Sequence, residues 1–187
     1  MSDTQWPRFE VFKQDTLDKP HQAVGSVHAP DGETALLMAR NVFVRRPKCH
    51  SLWVAPAEAI LSMTHEELAA RGGAVEEDSA EFFPALYHIF RKTSQRRAMT
   101  FVEHVGALTA GNPRQALSQA IARFTDAPAW VWWVVPEAAV TRSQDEDTAS
   151  WFDPADDKTY RHQSAYGTVL PRPDRRQADS SPNTTSG

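Results

Sequence analysis

Hydrophobic and polar positions alternate in two short stretches near the start of the chain, and the spacing then becomes helical. Alternation around Phe9 and Val11 is typical of a half-buried strand. A later stripe of apolar residues at i, i+4 and i+8, beginning at Ala35, is typical of an amphipathic helix. Prolines at 47 and 56 then delimit one more apolar strand. The predicted order is strand, strand, helix, strand, at residues 6–13, 21–29, 32–46 and 51–55.

The same pattern returns about 80 residues later, which indicates an internal duplication of domain size rather than a solenoid repeat. Residues 24–54 correspond to residues 105–135, with Gly25 matching Gly106 and Trp53 matching Trp133. The second copy is predicted to have strands and a helix at residues 86–92, 99–109, 113–124 and 130–135.

Both copies carry the same start signal for their helix. Asp31 and Asn112 can accept hydrogen bonds from the free amide groups of a first helical turn. Pro113 suits the first helical position, where an N–H group would have no partner within the helix. The apolar stripe of each helix requires a sheet to cover it, so the sequence predicts an α+β fold.

Composition divides the chain into four parts. Residues 1–62 form a first module and residues 83–170 a second module with an added tail. Between them, residues 63–82 are rich in glutamate and include Gly72 and Gly73, which indicates an acidic linker. Residues 171–187 are dominated by Pro, Arg, Asp, Ser and Thr and cannot bury enough apolar surface to fold, so we expect them to be disordered.

Charge and cysteine content exclude several classes of protein. The net charge of −4 gives no reason to expect nucleic acid as a partner. Cys49 is the only cysteine, so no disulfide can form within the chain and no thiolate cluster can hold a metal. No apolar run is long enough to cross a membrane. We therefore expect a cytoplasmic protein that binds neither nucleic acid nor membrane.

A search for catalytic motifs yields no convincing site. The chain lacks His-Glu-x-x-His, Gly-x-x-x-x-Gly-Lys, Gly-x-Ser-x-Gly and the Glu-x-x-His pairs of di-iron bundles. Cys49 and His50 are adjacent, and neighbours on a strand point to opposite faces, so they do not form a nucleophile pair. The seven histidines are scattered, and each is interpreted as structural. We predict no catalytic, cofactor-binding or metal-binding residue in this chain.

Tryptophans are more numerous near the end of the second copy than one small sheet can bury. The sequence WVWWVV at 130–135 is followed by Trp151 and Phe152. Tryptophan and arginine are enriched at protein interfaces. We therefore interpret part of this aromatic set as an interface, and the arginines at 91, 96 and 97 as solvated charges in a hairpin turn.

Taken in order, these segments resemble the PaaB family, a subunit of the bacterial phenylacetyl-CoA 1,2-epoxidase, also called phenylacetate-CoA oxygenase. The residues that carry the resemblance are Trp6, Pro7, Glu10, Val11, Phe12, His21, Val24, Gly25, Ser26, His28, Ala29, Ala35, Leu36, Ala39, Arg40, Arg45, Arg46, Ser51, Leu52, Trp53, Val54, Phe152, Asp153, Pro154, Ala155, Lys158, Tyr160, Arg161, His162 and Tyr166.

The resemblance implies a fold, a role and partners. The fold would be two tandem rolls of the ubiquitin-like or β-grasp type, each with the order strand, strand, helix, strand. The role would be that of a non-catalytic structural subunit that bridges the catalytic di-iron subunit, PaaA, and its structural partner, PaaC. Di-iron, flavin and iron–sulfur cofactors would then belong to partner subunits, with none in this chain.

The chain departs from the family by having two bodies and one tail, and we interpret the tandem as a built-in pseudo-dimer that can associate further with itself. A stand-alone module that binds acyl-CoA or another small molecule is the alternative, and an enzyme that uses His and Asp residues of the tail is a third interpretation. The candidate partner interface consists of Arg45, Arg46, Trp53, Trp133, Tyr160, Arg161 and His162.

Overall fold

The computed structural model describes residues 5–44, 48–70, 83–94 and 102–155, with only the backbone described at 147 and 155. The chain divides into two units, residues 1–156 and residues 157–187, and every described residue belongs to the first. The disorder predicted for residues 171–187 concerns residues outside the described part. All elements and contacts given below belong to the first unit.

Within the described residues the two copies have matching elements. The first copy contains β1 (Arg8–Gln14), β2 (Gln22–His28), α1 (Gly32–Phe43), β3 (Ser51–Pro56), β4 (Leu61–Thr64) and α2 (His65–Ala70). The second contains β5 (Ala85–Lys92), β6 (Val102–Ala110), α3 (Pro113–Arg123), β7 (Val131–Pro136), β8 (Thr141–Arg142) and α4 (Thr148–Phe152). Short 3₁₀ turns lie at Ala57–Ala59, Glu137–Ala139, Asp145–Asp147 and Asp153–Ala155.

All eight strands join one sheet, in the order β4-β7-β5-β6-β2-β1-β3-β8. The paired strands are antiparallel, and the same order is read outward from the centre in both directions. The two halves meet at β2 and β6, where Gln22 lies opposite Glu103 and its amide donates to the Glu103 carboxylate at 2.5 Å. The predicted α+β class is confirmed. Two separate β-grasp-type rolls remain a prediction, because the strands form a single sheet.

The last strand of each copy pairs with the other copy. β4 follows β3 of the first copy after one 3₁₀ turn, yet it pairs with β7 of the second. In the same way β8 follows β7 and pairs with β3. The sequence did not predict these two strands, since each is short, and the proposed boundary at residue 62 falls inside β4. The exchange makes each half of the sheet depend on both copies.

The predicted helix caps are present. The Asp31 carboxylate accepts a hydrogen bond from the Thr34 amide at 2.7 Å, and the Asn112 side chain accepts one from the Gln115 amide at 2.8 Å. The prediction that the first helix extends to residue 46 is wrong, because it ends at Phe43. Val44 leaves the helical conformation while its N–H group still bonds to the Arg40 carbonyl at 3.1 Å. The chain is then three residues from Pro47, and extended backbone is favoured immediately before a proline.

Three apolar clusters fill the unit. One lies between α1 and the first half of the sheet, and one between α3 and the second half. The third, here called the seam core, contains apolar side chains from both halves of the sheet. Its buried members are Phe12, Ala23, Ala55, Phe90, Val102, Trp133 and Val135.

One glycine in each copy permits a bulge in the first hairpin. Gly25 and Gly106 have φ values of +142° and +155°, which side chains with a Cβ rarely adopt. The β1–β2 register shifts beside Gly25, and the β5–β6 register shifts beside Gly106. A Cβ atom at either glycine would lie 2.9 Å from the ring of the phenylalanine that ends the following helix, Phe43 or Phe124.

We expect Gly25→Ala and Gly106→Ala each to lower the free energy of unfolding by about 1–3 kcal/mol, since each adds backbone strain and a ring contact that is too close. Urea denaturation followed by circular dichroism measures this difference. Ser26→Ala, at the adjacent exposed position, is the control and should change the free energy of unfolding by less than about 0.5 kcal/mol. Equal effects at Ser26 and Gly25 would contradict the role assigned to the glycines.

Candidate functional site

The structure describes two of the seven candidate interface residues, and both lie at the seam core. Trp133 is a buried member of the core, and Trp53 is a half-buried neighbour packed against it. The other five, Arg45, Arg46, Tyr160, Arg161 and His162, lie outside the described residues, so their role remains a prediction.

Trp53 is surrounded by histidines from both copies. Its ring stacks on His21 with centroids 3.8 Å apart and contacts His88 and His104 at 4.8 and 5.6 Å. His88 and His104 share a hydrogen bond of 3.1 Å between Nδ1 and Nε2. His21 makes another, of 3.1 Å, with the Ser51 hydroxyl. The indole therefore lies in a polar aromatic cluster to which β2, β3, β5 and β6 all contribute.

Glu137 and Arg142 close this cluster on the solvent side. One Arg142 amino group donates to both Glu137 carboxylate oxygens, at 2.7 and 2.9 Å, and the guanidinium lies over the Trp53 ring at 4.8 Å. The Glu137 carboxylate also hydrogen-bonds to the His88 ring. The chain thus places a cation on an aromatic face and neutralises it with a carboxylate. We call the group His21, Trp53, His88, His104, Glu137 and Arg142 the filled site.

Burial keeps two of the histidines neutral. Loss of hydration lowers the pKa of His21 to about 3 and that of His104 to about 4, and neighbouring histidines add to both effects. Partial burial alone would raise the pKa of Glu137, but the hydrogen bonds from His88 and Arg142 lower it overall. Near neutral pH the filled site therefore holds uncharged imidazoles at His21 and His104, with one ion pair beside them.

The histidine cluster does not form a metal centre in the described part of the chain, where no group of three His, Cys, Asp or Glu side chains is placed to hold a metal ion. Cys49 is also far from thiolate character, because burial raises its pKa to about 12. Its sulfur lies 3.7 Å from the Ser51 carbonyl oxygen. What the filled site can do chemically is hold a planar cation against an aromatic ring.

The duplication creates an equivalent position in the other half of the sheet, around Trp133. Where Trp53 lies opposite Arg142 in the β3–β8 pair, Trp133 lies opposite Ser62 in the β4–β7 pair. The duplication places Glu10 at the position of His88, Val102 at that of His21 and Ala57 at that of Glu137.

Smaller side chains leave this second position open. A cavity of about 250 Å³ lies there. Its lining consists of Arg8, Glu10, Ala57, Ile60, Ser62, Thr64, Lys92, Val102, Val131 and Trp133. We call it the open site. Both sites are built from both copies, since the tryptophan comes from one copy and the residue opposite it from the other.

Sequence reasoning identifies Trp53 and Trp133 but misses the rest of the filled site. His21, His88 and His104 look isolated in the sequence because they lie far apart in the chain and meet only through strand pairing between the copies. A signal is nevertheless present. Aligning the two copies pairs His88 with Glu10 and His21 with Val102, which marks these positions as the ones where the copies differ in chemistry.

None of the helices in the described residues is long and apolar enough to cross a membrane. This agrees with the hydropathy pattern of the sequence, and no candidate residue requires a lipid environment.

Comparison with known proteins gives two findings. The family model described as "Phenylacetic acid degradation B" (PaaB) matches the chain twice, at residues 5–78 and at residues 82–172. A subunit of the 1,2-phenylacetyl-CoA epoxidase of Escherichia coli (strain K12) is 35% identical over 106 residues, which cover 56% of this chain and 100% of that protein. No solved structure matches the chain. The double match agrees with the duplication read from the sequence.

Proposed function

The chain belongs to the PaaB family, and from this premise we propose that it is a non-catalytic structural subunit of a phenylacetyl-CoA epoxidase that bridges partner chains. The observation that carries the proposal is the double match of the family model, to residues 5–78 and 82–172. Each copy is thus related to a protein whose name makes it one subunit of an epoxidase with several.

We further infer that the two copies act as a permanent pair that replaces two single-body subunits. The exchange of β4 and β8 between the halves supports this, because each half takes an edge strand from the other copy. The seam core supports it as well, since Phe12 of one copy stacks on Phe90 of the other at 4.3 Å. Two symmetry-related subunits can be fused into one chain when their contact is preserved.

The filled and open sites give the pair two unlike ends. A fused pair with different side chains at equivalent positions presents two different surfaces, so one chain can contact two partners in two ways. We propose that these partners are the catalytic di-iron subunit, PaaA, and its structural partner, PaaC. In this proposal the di-iron centre, the flavin and the iron–sulfur cluster belong to partner chains.

The test is co-expression of this chain with the catalytic and structural subunits of the epoxidase. We expect the three chains to purify as one complex, and the mass of the complex to correspond to one tandem chain where two single-body subunits would stand. Phenylacetyl-CoA epoxidation, with the reductase supplied, should fall at least tenfold when this chain is left out. A complex that forms and turns over equally well without the chain would contradict the bridging role.

A charge substitution separates a specific contact from general stickiness. Arg45→Ala with Arg46→Ala is expected to weaken association measurably, because arginine pairs with carboxylates through two parallel hydrogen bonds. The matched control is Lys19→Ala with Arg123→Ala, which removes the same charge from other exposed positions. If both double variants weaken association equally, the effect is one of net charge and the predicted interface is wrong. If the purified chain instead binds phenylacetyl-CoA tightly and joins no complex, it is a small-molecule binding module.

A further inference from the structure

The two seam sites differ in one respect that indicates what the open site binds. In the filled site the chain supplies its own ligand, the Arg142 guanidinium, which lies 4.8 Å from the centre of the Trp53 ring. In the open site the residue opposite the tryptophan is Ser62, and a cavity of about 250 Å³ takes the place of the long side chain. The strand registers show that the two positions are equivalent, since Arg142 and Ser62 each lie directly opposite the tryptophan.

The wall of the open site retains the two features that hold Arg142 in the filled site. Trp133 lines the cavity, as Trp53 lines the other site. Glu10 supplies a carboxylate that is mostly buried, and its ion pair with Arg8 joins the Arg8 Nε and the Glu10 Oε1 at 3.2 Å. An indole beside a desolvated carboxylate favours a planar cation. Burial raises the pKa of Glu10, so the carboxylate gains stability from a second cation.

We propose that the open site binds an arginine side chain of a partner polypeptide, in the position over Trp133 that Arg142 takes over Trp53. The size of the cavity agrees with a side chain, because sites for whole small molecules measure roughly 300–1,000 Å³. Binding at the open site is measured on the isolated chain with a small probe, so the result does not depend on the epoxidase.

Two other cations lie at the cavity and decide where the guanidinium sits. Arg8 is more than half exposed, so it can turn into solvent when another cation takes its place on Glu10. Lys92 lines the same cavity and repels a cation beside it. The incoming guanidinium therefore lies between Trp133 and Glu10, and its aliphatic stem contacts Val102, Val131 or Ile60.

The probe is Nα-acetylarginine methylamide, titrated into the full chain while the indole N–H resonance of Trp133 is followed by NMR. Trp133→Phe identifies that resonance. We expect a saturable shift with the arginine probe, a shift at least fivefold weaker at equal concentration with the lysine analogue, and none with benzoate. A shift with benzoate and none with the arginine probe would overturn the assignment, because it would make the open site an anion site.

Variants in the two sites act in opposite directions. Ser62→Arg places the missing side chain in the cavity, so the probe should bind at least tenfold more weakly and the thermal midpoint should not fall. Arg142→Ser opens the filled site, so the stoichiometry should rise from one probe per chain to two, with a new shift at Trp53. Glu10→Gln removes the carboxylate but keeps its shape, and should weaken binding at least fivefold.

These variants also keep the proposal falsifiable if one of them is unstable. Circular dichroism shows whether each variant is folded, and Glu10→Gln is nearly isosteric with the parent. Unchanged probe binding in folded Ser62→Arg and in folded Glu10→Gln would place the probe elsewhere on the chain and overturn the proposal. Co-purification of the chain with its partners is a separate result that can succeed or fail independently.

Discussion

Phe90→Ala is expected to lower the free energy of unfolding by about 3–5 kcal/mol, the usual cost of emptying a fully buried phenylalanine position. Phe90 is 0% exposed and stacks on Phe12, which is 1% exposed, with ring centroids 4.3 Å apart. Phe12 in turn meets the edge of the Trp133 ring at 6.1 Å. These rings form the centre of the seam core, so the cavity left by Phe90 cannot be filled by movement of one copy alone.

Urea denaturation monitored by circular dichroism measures this cost, and Phe12→Ala gives the equivalent value from the other copy. The double variant should lose about 0.5–1.5 kcal/mol less than the sum of the single losses, because the ring pair is removed only once. Leu37→Ala is the control, since Leu37 is 48% exposed on α1 and makes little core contact. Two separate unfolding transitions in the parent chain would contradict the shared core, which requires the copies to unfold together.

Acidification from pH 7 to pH 5 is expected to lower the free energy of unfolding by about 4 kcal/mol through His21 and His104 together. Their pKa values in the fold are about 3 and about 4, against 6.5 in the unfolded chain. Below pH 6.5 the unfolded chain therefore binds protons that the folded chain does not, so stability falls with pH. Each histidine contributes about 1.4 kcal/mol per pH unit between pH 6.5 and its pKa in the fold.

Urea midpoints measured at intervals between pH 7.5 and pH 4.5 give this slope. His104→Gln should make the slope shallower by roughly half, since one of the two neutral histidines is gone, and His21→Asn should do the same. His28→Gln is the control, because His28 is exposed. A flat profile in the parent chain would show that these histidines are not held neutral by burial.

Local signals in the sequence are enough to locate the first three strands and the long helix of each copy. Asp31 and Asn112 start the helices as predicted because a cap depends only on the residue and the next turn. The predicted end of the first helix is wrong, since no glycine marks it. The interpretation of Arg91 as a solvated turn residue is also wrong. It is buried on β5, where it forms hydrogen bonds to the Asp126 carboxylate and the Phe124 carbonyl.

The candidate site is predictable only in part. Trp53 and Trp133 stand out in the sequence as a matched pair, and both lie at the seam core. The histidines, Glu137 and Arg142 do not stand out, because no spacing along the chain brings them together. Arg142 lies on a strand of two residues, which is too short to show any alternation.

The sequence by itself determined the duplication, the α+β class, the helix caps and the family, because each depends on residue types at fixed spacings. Only the tertiary structure decided how the copies combine. The exchange of β4 and β8, the stacking of Phe12 on Phe90 and the gathering of three histidines around Trp53 are contacts between distant segments. Such contacts form when apolar faces are buried against each other, and which faces meet is settled by packing of the whole chain rather than by any local pattern.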